Sequence, residues 1–194
     1  MRRLGILLGC ALTLAACQTT PPPPPDLNNP LLSPGFLAQA SSANQFEIQS
    51  SQLALQASQN MAVRNYANII IADHTQLGQR VAAIAASAHL SPPPLGLLPQ
   101  DQATLDQLRA AGTGYSFDQA YQQVQISAHQ NAIGLMQNYA TSGDVPVLRS
   151  AAGEAVPMMQ RHLQMAQALV LTPPPPPAPP PPPPPPPRRS GERG

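Results

Sequence analysis

Apolar residues recur in alternating steps of three and four along four stretches of the chain, the spacing of a stripe on an α-helix packed into a bundle. The clearest stripe runs Val63, Ala67, Ile70, His74, Leu77, Val81, Ile84, Ala88. A second runs Phe36, Ala40, Ala43, Glu47, Ser50, Ala54, Ala57. A third runs Phe117, Tyr121, Val124, Ala128, Leu135, Tyr139, widened by Ala132 and Met136. The fourth is Leu148, Ala151, Ala155, Met158, His162, Met165, Leu169. Each stripe carries one ionisable residue on it or at its edge: Glu47, His74, His129 (beside Gln125 and Met136) and His162. Side chains so placed face neighbouring helices rather than water.

Turn chemistry marks where the helices begin and stop. Ser33-Pro34 reads as an N-cap followed by proline at the first helical position. The pattern restarts near Ser58-Gln59-Asn60, so helix two folds back antiparallel to helix one. Pro92, Pro93 and Pro94 cannot continue helix two, and Asp101 is the expected cap of a short helix to about Ala111. Gly112-Thr113-Gly114 ends that helix, Ser116 with Gln119 reads as a capping box, and Asp144 ahead of Pro146 opens helix four. Pro157, inside helix four, predicts a kink or bulge because the Gly153 carbonyl loses its partner. The connection between helices two and three is about 25 residues long where 2 to 8 is usual. One such crossover is a feature of ferritin-like bundles. The fold expected is therefore all-α: a ferritin-like four-helix bundle over residues 33–172, flanked by Pro-rich disordered segments.

Composition changes the picture mainly at the ends. Most of the 27 prolines lie in two runs outside the bundle. The net charge is +1 with no lysine, which gives no basic face for nucleic acid. Arg2 and Arg3, an apolar run from Leu4 to Leu14, and Ala15-Ala16 before Cys17 describe a secretory signal over residues 1–16. The apolar run is shorter than the roughly 20 residues a membrane span needs. Leu14-Ala15-Ala16-Cys17 resembles the bacterial lipobox, which implies that Cys17 is lipidated and becomes the first mature residue. Gln18 after it, by the same resemblance, implies the outer membrane, facing the periplasm. Cys10 would leave with the signal, so no thiol chemistry remains. Residues 17–32 form a spacer containing Pro21 to Pro25. Residues 173–194 form a polyproline tail, interrupted only by Ala178, with a basic tip at Arg188, Arg189 and Arg193. That tail reads either as a rod offering its tip to an anionic cell-wall or membrane partner, or as a tail without a partner.

Several of these pieces match one family pattern in order. They are Gln45-Phe46-Glu47-Ile48 with Leu53-Ala54-Leu55, Ile71-Ala72-Asp73-His74, Phe117-Asp118 with Tyr121 and Ala128-His129, and Pro157 with His162-Leu163. Together they are similar to the bacterial family labelled domain of unknown function 4142, described as a predicted outer-membrane protein and grouped with ferritin-like folds. The resemblance covers about Phe36 to Leu169 and implies a fold and a compartment, not an activity.

Glu47, His74, His129 and His162 would suit one zinc, iron or copper ion. Di-iron bundles instead use Glu-x-x-His on two helices. Here the residues three before the histidines are Ile71, Ile126 and Met159, so a single mononuclear ion is the most the pattern supports. A hydrogen-bonded Glu–His network that fixes helix register is the competing reading. Counted from Gly143, His129 lies fourteen residues before and His162 nineteen after, an offset of about 7 Å in helical rise that counts against convergence. Asp73 is a candidate to orient a histidine from outside the set. A solvated surface position is nevertheless the expectation for both Asp73 and Glu154. His89 reads as an exposed helix-end residue, and Met158 and Met165 as core filler. Phosphate-binding glycine loops, serine elbows and cysteine nucleophiles are absent. The chain thus reads as an envelope binding or structural module rather than an enzyme. The alternatives are a mononuclear metal-binding protein and an envelope spacer acting through its tail.

Overall fold

The computed structural model describes residues 24–173 and 175. The signal segment, Cys17, most of the proline spacer and the polyproline tail with its basic tip lie outside the described residues. Among the described residues five helices follow one another: α1 (Ser33–Ala57), α2 (Met61–Ser87), α3 (Pro99–Ala110), α4 (Tyr115–Ser142) and α5 (Pro146–Gln167). Among the described residues there is no strand. The four long helices form the bundle and α3 lies in the crossover, packed on α1 and α4.

Side-chain pairs fix the directions. Phe36 stacks on Tyr139, Glu47 faces His129 and Ser51 meets Tyr121, so numbers rise along α1 as they fall along α4. Glu154 reaches Arg80, while Arg161 and His162 reach Asp73, so α2 and α5 are antiparallel as well. With α1–α2 and α4–α5 each folded as a hairpin, α2 and α4 run parallel. The chain leaving α2 must then travel the length of the bundle before α4 can begin, which is the work of the Pro-rich crossover. It ends where Gly114 N–H donates to the Ala57 carbonyl (2.9 Å), beside the C-terminus of α1. The ferritin-like course is thus present.

Helix starts differ from the expected caps by a residue or so. Asn60 caps α2, its side-chain oxygen accepting from Ala62 and Val63 N–H. Elsewhere proline sets the start: Pro34, Pro99 and Pro146 occupy first-turn positions, and no side chain caps those helices. The polar residues expected as caps bind across elements instead. Ser33 Oγ donates to Asp144 (3.3 Å), Tyr139 Oη donates to the same carboxylate (2.8 Å), and Ser42 Oγ donates to Asp101. Gly114, at φ 71°, precedes α4 in a conformation that favours glycine, and Ser116 Oγ turns back to the Ala111 carbonyl (3.2 Å). α5 is helical through Pro157; both Pro157 and Gly153 are exposed, so the orphaned carbonyl lies on the solvent side.

The end of the expected spacer is folded. Asn28 N–H and Leu31 N–H bond the side chains of Asp26 and Asn29, and Asp144 N–H donates to the Leu31 carbonyl (3.1 Å). This loop lies so close to α1 that a Cβ on Gly35 would stand 2.2 Å from the Asn29 carbonyl oxygen.

Two apolar clusters fill the bundle. One gathers Phe36, Leu37, Met136, Tyr139, Leu148 and Met159, and the other Val63, Tyr66, Ile70, Leu108, Phe117 and Tyr121. Between them lies a polar layer. Gln125 donates to Ser50 Oγ (3.1 Å) and accepts from Tyr66 Oη (3.0 Å), and Ser51 pairs with Tyr121 Oη (2.7 Å). The histidines sit in this layer.

Candidate metal centre

His74 on α2, His129 on α4 and His162 on α5 are 2%, 1% and 0% exposed. Their ring centroids form a near-equilateral triangle with sides of 5.8 Å (His74–His129), 5.5 Å (His74–His162) and 5.4 Å (His129–His162). One nitrogen from each ring lies within 4.8 Å of the other two. Helix ends explain why the offset expected from Gly143 is not prohibitive. Gly143 to Val145 is not helical, so His129 lies thirteen residues before Ser142 and His162 sixteen after Pro146. That difference is about 4.5 Å of rise, and the rings span it.

Each imidazole is held by one nitrogen and free at the other. His74 Nδ1 pairs with Asn44 Oδ1 (3.1 Å), His129 Nδ1 with the Gln125 carbonyl (2.9 Å), and His162 Nε2 with Asp73 Oδ2 (2.8 Å). All three partners are acceptors, so these nitrogens carry the protons. His74 Nε2, His129 Nε2 and His162 Nδ1 are buried without a partner. Being unprotonated, they present three lone pairs to one another. This arrangement of a held N–H and a free lone pair is the one that metal-ligating histidines adopt.

The electrostatics favour the neutral form of His74 and His162. Burial, helped by His129 and His162, pushes His74 down to about 3 from an ordinary 6.5, against the pull of Asp73. Burial also lowers His162, opposed by its bond to Asp73. Burial works against ionisation of Asp73, but the His162 and Arg161 donors outweigh it and hold its carboxyl below the usual range.

Of the residues singled out from sequence, the three histidines converge and Glu47 does not join them. Glu47 is 4% exposed, and its Oε1 lies 3.6 Å from His129 Nδ1, the nitrogen already turned to the Gln125 carbonyl. It therefore stands behind the His129 ring rather than in the ligand set. Burial raises its pKa, with His129 and Gln125 pulling the other way. Asp73, on the same helix as His74, bonds His162 on α5 and Arg161 beside it (3.0 Å). Glu154 forms an exposed ion pair with Arg80.

Sequence reasoning missed Asn44 and Gln125. It also misplaced two stripes. On α4 the buried line runs Phe117, Tyr121, Gln125, His129, Met136, Tyr139, with Val124, Ala128 and Leu135 on its flank. On α5 it runs Leu148, Ala152, Ala155, Met159, His162, Ala166, with Ala151, Met158 and Met165 half-buried. On α4 the signal was the polar residue itself: Gln125 stands four before His129 and therefore on its face.

The fold and site define an all-α, ferritin-like four-helix bundle with a buried trihistidine cluster. The chain belongs to the family described as "Domain of unknown function (DUF4142)", whose family model matches residues 18–169. Among solved structures it is similar to CopM in the Cu(II)-bound form, at 18% identity and a TM-score of 0.58, covering 70% of this chain and 93% of that one. CopM in the Ag-bound form, obtained by co-crystallization, gives a TM-score of 0.56 at the same identity and coverage. At that identity the likeness concerns the fold. None of the curated proteins matches the chain.

Proposed function

We propose that this protein binds one transition metal ion at His74, His129 and His162, and that copper is the ion it takes. The observation that carries the reading is the set of three buried, unpartnered ring nitrogens facing one another. A network that only fixed helix register would satisfy its members. This one leaves three acceptors orphaned at a cost of roughly 1–3 kcal/mol each. A cation supplies what all three lack. Three neutral imidazoles suit copper, zinc, nickel or iron, and among divalent ions copper binds such a set most tightly. The similar bundle solved with Cu(II) and with Ag supports the same choice. The site needs no bridging carboxylate, and it is proposed as a binding site rather than an active site.

We place the protein at the outer membrane, lipidated at Cys17 and facing the periplasm. The lipobox-like Leu14-Ala15-Ala16-Cys17 supports this, as does a family match that starts at residue 18, directly after that cysteine. Among the described residues no helix is long and apolar enough to cross a membrane.

The test is elemental analysis of protein purified without a metal-binding tag and reconstituted with copper, zinc or silver. About one ion per chain is expected, lost in His74→Ala and His162→Ala. Content well below one after reconstitution, with melting insensitive to chelator, would leave the histidines as internal polar contacts. Cys17→Ser should abolish acyl-lipid labelling and release the protein from the membrane fraction; a lipid-free native protein would overturn the anchor.

A further inference from the structure

The trihistidine does not sit in closed packing. A cavity of about 900 Å³ runs through the bundle half that holds Phe36 and Tyr139, and His74 and His129 are part of its wall. It exists because the C-terminal half of α2 does not close fully on the bundle: Leu77, Val81 and Ile84 are only half-buried where their stripe should be sealed. Most of the wall surface is apolar, with Met136, Leu148 and Met158 of α4 and α5 among its residues. Arg80 and Glu154, more than half exposed, pair across its rim from α2 to α5.

We propose that this cavity holds a small molecule with an apolar body and a single nitrogen or sulfur donor, which completes the coordination of the metal. The proposal rests on the metal reading above and adds a ligand class to it. Three observations lead there. Three protein ligands leave a position open, the arrangement of sites that exchange a ligand rather than of closed structural ones. Among the described residues, no further His, Cys, Asp or Glu lies within reach of the three nitrogens, and Glu47 is turned to the other edge of His129. Two of the unpartnered nitrogens, on His74 and His129, belong to cavity-wall residues, whereas His162 stands outside the wall. The size lies within the range of small-molecule pockets, and an apolar wall with few polar groups is their usual lining. The charges around the cavity pair off, Asp73 with Arg161 and Glu154 with Arg80, and burial disfavours the charged form of Glu47, so the wall offers a ligand no net charge. A donor head on an apolar body matches the histidine end and the apolar wall.

The full chain, loaded with Cu(II) and its metal content measured, should be titrated with imidazole and 4-phenylimidazole while the copper absorption and EPR spectra are recorded. 4-Phenylimidazole should bind about tenfold or more tightly than imidazole, since its ring buries additional apolar surface. Ala151→Phe, on the half-buried edge of the cavity, should retain copper and lose most of that preference. Should it not fold, Ala151→Leu gives a smaller obstruction and the wild-type comparison stands alone. A chain that takes up no metal overturns both readings. A chain that loads copper but shows no spectral response, or equal affinity for imidazole and 4-phenylimidazole, overturns the ligand and leaves the metal site standing.

Discussion

At the scale of single residues, what distinguishes this site is the orientation of its rings. Asn44 and Asp73 hold His74 and His162 by their outward N–H groups, and the Gln125 carbonyl holds His129. Removing such a partner costs a metal site roughly 10–100-fold in affinity. Asn44→Ala should therefore weaken copper binding by about that factor with His74 still present, as measured by competition with a chelator. Gly78 gives a second, independent handle on the same contact. A Cβ there would stand 2.9 Å from Asn44 Nδ2, so Gly78→Ala must push the amide off His74. Because alanine favours the helix interior by roughly 0.5–1 kcal/mol, this variant should melt no lower than wild type while still binding copper less tightly. Equal affinity in both variants would mean that the Asn44 contact does not set the ring. The histidines were legible from spacing because one lay at a helix seam in three separate segments. Their partners were not, since Asn44 sits one position off a stripe and the acceptor for His129 is main chain.

At the scale of elements, helix number, order and the crossover could be read from periodicity and proline placement. The limits of α1 and its surroundings could not. α1 buries a second face, with Leu37, Ser42 and Phe46, because α3 packs on its back as well as α2 and α4 on its front. Two requirements then override local pattern. Ser42 Oγ receives Leu98 N–H (2.7 Å) and donates to Asp101, fastening the start of α3 to α1. Ser42→Ala leaves that N–H without its partner, at roughly 1–3 kcal/mol. Denaturant midpoints should fall accordingly, and amide exchange should rise first around Leu98 to Leu105. Unchanged exchange there would show that the crossover is held by Leu105 and Leu108 alone. Gly35 is the other requirement. Since its Cβ would meet main-chain oxygen rather than a mobile side chain, Gly35→Ala should cost about 1–3 kcal/mol, read as a lowered melting temperature. No sequence signal announced this contact, because the loop from Asp26 to Leu32 packs on α1 through backbone rather than through an apolar stripe.

At the scale of the whole molecule, the bundle's far end and its buried charges set how it responds to truncation and to acid. Asn60 donates to the Val170 carbonyl (3.0 Å) and Gln122 to the Leu169 carbonyl (3.1 Å), tying the chain after α5 to α2 and α4. A chain ending at Thr172 keeps both bonds and should melt within a few degrees of the longer one, as 1 kcal/mol moves the midpoint of a domain this size by roughly 2–6 °C. One ending before Leu169 should melt lower. Acid acts through the site. His74 is held neutral down to about pH 3, whereas its unfolded counterpart takes a proton near 6.5, and His162 is shifted in the same direction. Below pH 6.5 the unfolded state therefore binds more protons than the folded one, and stability falls as pH falls. Asp73, whose carboxyl is held below its ordinary 3.8, adds stability that is present above that value and is lost as pH drops further. Glu47 has the opposite sign: its folded carboxyl keeps a proton that the unfolded chain releases above 4.5, so its contribution declines as pH rises through the folded value. Glu47 thus offsets part of the histidine effect above pH 4.5, whereas below that value the unfolded chain is protonated at Glu47 as well and the histidines act unopposed by it. The metal-free protein should lose several kcal/mol between pH 6.5 and pH 3, measured by urea denaturation at stepped pH. In His74→Leu, which has no imidazole to protonate in either state, that slope should flatten. A wild-type stability that stays level from pH 4.5 to pH 3 would mean that the His74 ring protonates as readily in the folded chain as in the unfolded one, and the free Nε2 lone pair on which the site depends would go with it.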